Sequence, residues 1–189
     1  MSVIKPILHH VTIKTTRLAE MTAWYATVVG AHVQFQDAGA AWMTNDAANH
    51  RIGFLALPGL ADDAHKSSHA GMHHSAFEYA SFEDLMASYH RMSLEHIEPA
   101  FCLDHGLTFS LYYKDPDGNF VELQCDSFGD WEKSGHFMRT SEDFASNPIG
   151  TFFDPARVYA AHMAGESFAH MQPRVRAGAF QPAVLPSID

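Results

Sequence analysis

The sequence predicts an α+β fold in which two βαβββ modules build one curved, barrel-like mixed sheet. Three observations predict it. The chain repeats itself: HHVTIKTTRLAEMTAWY, from His9, aligns without gaps with HHSAFEYASFEDLMASY, from His73. In each copy an apolar, strand-like run leads into a segment of helical periodicity, and short strand-like runs follow. Between the copies lies ADDAHKSSHAG, polar and rich in small residues, as a connecting loop should be.

The first module covers residues 5–58. Its strand around Val11 and Ile13 precedes a helix on which Leu18, Met21, Tyr25 and Val28 share one face. That helix follows Thr15 and Thr16, and AHVQFQD, AAWMT and HRIGFLAL supply three further strands. The second module covers 70–126. Ser81 and Asp84 stand at capping-box spacing before a helix whose Phe82, Leu85, Met86 and Tyr89 form the buried stripe. PAFCL, LTFSLYYKD and NFVELQC are its remaining strands, with Asp115-Pro116-Asp117-Gly118 as the turn between the last two. Trp24, Tyr25 and Tyr89 are expected to pack. Residues 127–189 add C-terminal helices and an arm. Asp154 suits an N-cap and Pro155 the first helical position of a helix through Val158, Tyr159 and Met163. MQPRVRAGAFQPAVLPSID holds three Pro and little periodicity, so it is expected to be extended. Its Phe180, Val184 and Leu185 call for cover by the same domain or a partner subunit. Together with open strand edges, this predicts a homodimer or higher homo-oligomer.

Composition narrows the class. At 189 residues the chain suits a single domain, and 47% hydrophobic with 18% charged residues is ordinary for a globular protein. A formal charge of −10 disfavours nucleic acid and anionic membrane as partners. Cys102 and Cys125 alone make no disulfide framework, which fits a reducing cytoplasm. MSVIKPILHH lacks an apolar core long enough for a signal peptide, and no run approaches a membrane span.

With 14 histidines, their placement matters more than their presence. Neighbouring strand side chains point to opposite faces. Val11 and Ile13 belong under the helix with His9, which turns His10, Thr12 and Lys14 to the inner side. Phe77 and Tyr79 take the helix side with His73, which leaves His74, Ala76 and Glu78 inward. On the last strand Val121, Leu123 and Cys125 pack, and Phe120, Glu122 and Gln124 look in. Each of three strands thus contributes one strong ligand: His10, His74 and Glu122. Two imidazoles and a carboxylate on one face of a metal leave the other face open, the geometry of non-haem Fe(II) oxygenases. His65, His69 and His73, in or beside the linker, read as solvated. Trp42 fits a pocket wall or a plain core position.

From residue 7 to about 163 the chain resembles the vicinal oxygen chelate superfamily, and within it the one-domain type I extradiol ring-cleavage dioxygenases of the biphenyl-2,3-diol 1,2-dioxygenase kind. HGLTFSLYYKDPDGNFVELQ carries the strongest likeness, and FMRTSEDFASNPIGTFFDPARV resembles the tail of single-domain members. The resemblance implies that His10, His74 and Glu122 bind Fe(II), and that Tyr112 contacts a substrate oxygen. It also makes His50, in NHRIGFLAL, the acid/base histidine and His105 a histidine at the pocket mouth. The implied reaction is meta cleavage of a catechol-type aromatic diol by O2. Mn(II) suits the same ligand set, and the ring substituent stays open. A glyoxalase-like isomerase or lyase would take a fourth ligand from the last strand of module one, yet HRIGFLALPGL holds no Asp or Glu. A non-enzymatic ligand-binding member would have no use for the metal set.

Overall fold

The computed structural model describes residues 3–188. Both expected modules form. In the first, β1 (Val11–Lys14), α1 (Leu18–Val28), β2 (His32–Gln36), β3 (Ala40–Thr44) and β4 (Ile52–Leu55) follow one another. In the second, β5 (His74–Tyr79), α2 (Phe82–Leu94), β6 (Phe101–Asp104), β7 (Thr108–Lys114) and β8 (Phe120–Asp126) repeat the order. The chain then adds α3 (Trp131–Thr140), α4 (Glu142–Ser146), β9 (Thr151–Phe152), α5 (Pro155–Met163) and α6 (Phe168–Arg176). Among the described residues, no helix is long and apolar enough to cross a membrane.

The strands form two mixed sheets rather than one continuous one, in the orders β1-β4-β3-β2 and β5-β8-β7-β6-β9, and no closed barrel is found among the described residues. In each module the first and last strands pair in parallel, and the other pairs are antiparallel. The chain divides into two compact units: residues up to His69 with the turn Asp115–Asn119, and Ala70–Lys114 with Phe120–Asp189.

In the first unit, Met21, Thr22, Tyr25 and Val28 of α1 are buried, and Ile13, Ala41, Met43, Ile52 and Phe54 fill the core with them. Thr15 Oγ1 accepts from the N–H of Arg17, so a threonine supports the helix start from just outside it. The turn before β8 belongs here. Gly118 N–H donates to the Asp115 carbonyl at 2.8 Å, and Gly118 sits at φ 76°, where a side chain would be strained. Tyr25 OH donates to Asp115 Oδ2, and Arg17 reaches Asp117 Oδ1 at 2.7 Å.

In the second unit, Ser81 caps α2 by accepting from Asp84 N–H, the expected box. Phe82, Leu85, Met86, Tyr89 and Met92 pack inward, and Phe109, Leu111, Tyr113, Val121, Leu123 and Cys125 of the sheet are buried too. Asp154 caps α5 through the N–H groups of Ala156 and Arg157, with Pro155 in the first turn as expected.

The C-terminal stretch corrects one expectation. Residues 168–176 are helical despite Pro173, and Met171 and Val175 of α6 are fully buried. Phe180 is buried as well; its carbonyl accepts from Asp154 N–H, and Arg157 and Arg174 lie over its ring. The extended arm therefore begins only beyond this point, where Val184 and Leu185 are exposed. Packing of α6 against β6 and β9 overrode a weak local signal.

Gln172 of α6 donates to Oδ1 of Asp104, which also accepts from Gly106 N–H, whereas Oδ2 has no partner. Gly150 is held against the same residue: a Cβ there would lie 2.2 Å from the Asp104 carbonyl oxygen. Burial pushes the Asp104 carboxyl from its ordinary 3.8 up to about 6, against the hydrogen bonds that favour its ionised form. Because the folded-state value is raised, the associated stability is complete below pH 3.8 and is lost as pH rises through 6. We expect that loss to reach about 3 kcal/mol. Denaturant titrations across this range should show the fall in the wild type and not in Asp104→Asn. Identical profiles would refute it.

Candidate metal centre

Parallel pairing decides what meets at the ends of the modules. Since β5 runs alongside β8, His74 is opposite Phe120, and Ala76 opposite Glu122. Tyr112 of β7 is opposite Glu122 on the other side, and Phe101 of β6 is opposite Tyr112. His74, Phe120, Glu122, Tyr112 and Phe101 therefore share the sheet face turned away from α2, as alternation predicted for Phe120, Glu122 and His74. Tyr113, next along β7, is fully buried on the helix side.

The polar groups on this face converge. Nε2 of His74 stands 3.1 Å from Oε2 of Glu122. Tyr112 OH donates to Glu122 Oε1 at 2.9 Å and lies 2.9 Å from Nε2 of His105. Glu122 is only 5% exposed, a carboxylate burial that requires compensation. Burial by itself would raise its pKa, but contacts led by His74, with Ser110 and Tyr112, outweigh that and hold it below the usual value. Burial, then the charge of Glu122, pushes the Tyr112 phenol well above its ordinary value, so it stays a proton donor. Burial also lowers the pKa of His105, against the pull of Glu122.

These residues fit a divalent metal. Two ligand atoms about 2.1 Å from one ion, at right angles, stand about 3 Å apart, which is the spacing of His74 Nε2 and Glu122 Oε2. Phe101, Phe120 and Leu103, with Phe152 of β9 beside them, add an apolar wall next to Tyr112.

His10 belongs to the first unit. It sits just before β1, and His50 lies in the loop just before β4 rather than on that strand, which corrects the expected placement. The parallel β1/β4 pair brings these two approaches side by side, and their rings are 4.3 Å apart. Arg51 clamps the arrangement by donating to the His9 carbonyl and to Asp46 Oδ2. His9 joins them: its Nδ1 is 3.0 Å from Nδ1 of His10, and His9, His10 and His50 can each offer a ligand atom within 4.8 Å of the others. Burial, then His10 and His9, holds the His50 pKa below its ordinary value.

Two histidines thus escaped strand alternation. His9 and His73 were assigned to the helix sides, yet β1 begins at Val11 and β5 at His74, so neither lies in a strand. His73 stacks on Phe120 at 5.2 Å and contacts His74, and is not simply solvated. The repeated His-His doublet was the available signal. His65 and His69 flank a 3-10 turn in the linker and are exposed, as expected. Trp42 is half-buried against Phe35.

Residues 7–123 match the Glyoxalase/Bleomycin resistance protein/Dioxygenase superfamily. The chain is 39% identical over 160 residues to biphenyl-2,3-diol 1,2-dioxygenase 2 of Rhodococcus globerulus, covering 85% of this chain and 83% of that protein. Biphenyl-2,3-diol 1,2-dioxygenase 3 of the same organism is 36% identical, covering 86% and 85%. Among solved structures, a glyoxalase/dioxygenase from Nostoc punctiforme superposes with a TM-score of 0.52 at 20% identity, over 67% of this chain and 97% of that one. A lactoylglutathione lyase from Agrobacterium tumefaciens gives 0.51 at 16% identity, over 64% and 94%. These two likenesses concern the fold.

Proposed function

The chain belongs to the glyoxalase/bleomycin resistance protein/dioxygenase superfamily, and on that premise we propose that it is an extradiol dioxygenase. It opens a catechol-type aromatic diol with O2, using one Fe(II) held by His10, His74 and Glu122, with its two modules acting as one domain. The observation that carries this reading is the His74–Glu122 pair with Tyr112 and His105 beside it. Identity to two biphenyl-2,3-diol 1,2-dioxygenases supports it. Mn(II) would suit the same ligands.

When bound, the ion supplies Lewis acidity and a common seat for diol and O2. The protein's residues do the rest. Glu122 and two neutral imidazoles leave net positive charge at the site, which favours a catecholate. Tyr112, kept protonated, donates a hydrogen bond to a diol oxygen. His50, kept neutral at pH 7, takes up a proton from a hydroxyl as the diol binds and can return it during ring opening. His105 stands at the far side of Tyr112 and holds that hydroxyl in place. The aromatic wall of Phe101 and Phe120 receives the ring's substituent.

The protein is further proposed to work in the cytoplasm as a homodimer. Exposed Val3, Ile4, Ile7 and Leu8 supply apolar surface for a partner copy, and a monomer by light scattering would overturn that. For the activity, oxygen uptake should follow addition of a catechol to Fe(II)-reconstituted protein, with a yellow ring-opened product. A panel from catechol to a biphenyl diol then identifies the substituent. Silence across the whole panel would reject the dioxygenase in favour of an isomerase or a binding protein.

A further inference from the structure

The end of the chain returns to the metal centre. The carbonyl oxygen of Ile188 stands 3.0 Å from Nε2 of His73. The Ile188 side chain packs against the cluster of Phe101, Leu103, Tyr112 and Phe120. His73, stacked on Phe120, places its Nδ1 2.8 Å from Nδ1 of His74.

These contacts order the protons. A carbonyl only accepts, so Nε2 of His73 carries a hydrogen. In the neutral ring Nδ1 of His73 then holds a lone pair, and Nδ1 of His74 must donate to it. Nε2 of His74 is left bare, and it is the atom 3.1 Å from Glu122 Oε2. With the opposite tautomers, a lone pair of His73 would face the Ile188 carbonyl oxygen at 3.0 Å, which is repulsive.

We propose that Ile188 and His73 are positioning residues that lock His74 in the tautomer whose Nε2 binds the metal. The inference rests on the ligand set given above. The His-His contact alone has no direction: the doublet in the first unit makes it too, at 3.0 Å. Ile188 adds the direction, because its carbonyl accepts from the far side of His73. Its side chain, seated on the aromatic cluster, keeps that carbonyl in place although Val184 and Leu185 before it are exposed. Groups that orient a metal-bound imidazole typically change metal affinity by about 10- to 100-fold.

The test is Mn(II) affinity of the metal-free full-length protein, read by the paramagnetic resonance signal of free Mn(II). His73→Phe, and a chain shortened by Ser187–Asp189, should each bind roughly 10- to 100-fold more weakly with unchanged melting. Combining them should cost no more than either alone, since both cut one relay. Ile188→Val, which keeps anchor and carbonyl, should bind as the wild type does. If shortening unfolds the chain, Ile188→Gly removes the anchor and should weaken Mn(II) in the same direction. Undiminished affinity in the shortened chain, or fully additive losses, would overturn the relay while leaving the ligand set intact. A wild type that takes up no Mn(II) would instead overturn the ligand set, and the relay with it.

Discussion

Glu122→Ala is expected to strip most of the metal and nearly all ring cleavage from the protein while the fold persists. The substitution removes the charged ligand and leaves His74 and Tyr112 without their shared partner. The fold should tolerate it. One broken hydrogen bond costs about 1–3 kcal/mol, and carboxylate burial was itself unfavourable. His74→Ala and His10→Ala should behave alike. His9→Ala is the informative control, because His9, His10 and His50 form a competing three-histidine group. It should keep its iron if the proposed ligand set is right and lose it if that group is the centre. Metal analysis of anaerobically reconstituted variants decides, and full iron in His74→Ala would sink the assignment.

His50→Phe should retain iron and bind catechol, yet turn over about 10²–10⁴-fold more slowly, the usual contribution of a placed acid/base group. Phenylalanine keeps the ring's bulk beside His10 and removes only its proton chemistry. A fall in kcat with little change in KM, and a changed pH profile, would mark a lost proton step rather than lost binding. An unaltered rate and profile would transfer the role to His105 or Tyr112.

Several features were legible because their causes are local. Apolar residues at helical spacing in α1 and α2 announced the faces that are buried. Alternation along β8 predicted that Glu122 shares a face with Phe120 and opposes Val121 and Leu123, and cross-strand pairing bears this out. Asp154 and Pro155 marked the start of α5. The tail was less legible. Pro173 spoke against a helix, but the apolar Met171 and Val175, one turn apart, have a core to enter.

The sequence by itself therefore determined the two modules, their order of elements and the inward side of the second sheet, since period, caps and repeat are written in neighbouring residues. Where each strand begins was a tertiary matter: β1 and β5 start late enough to free His9 and His73 from alternation. The return of Ile188 to His73, across 115 residues of chain, was likewise decided only by the folded protein. The physical reason is that such contacts depend on which partner fills an aromatic cluster and satisfies a ring nitrogen, and no local pattern encodes that choice.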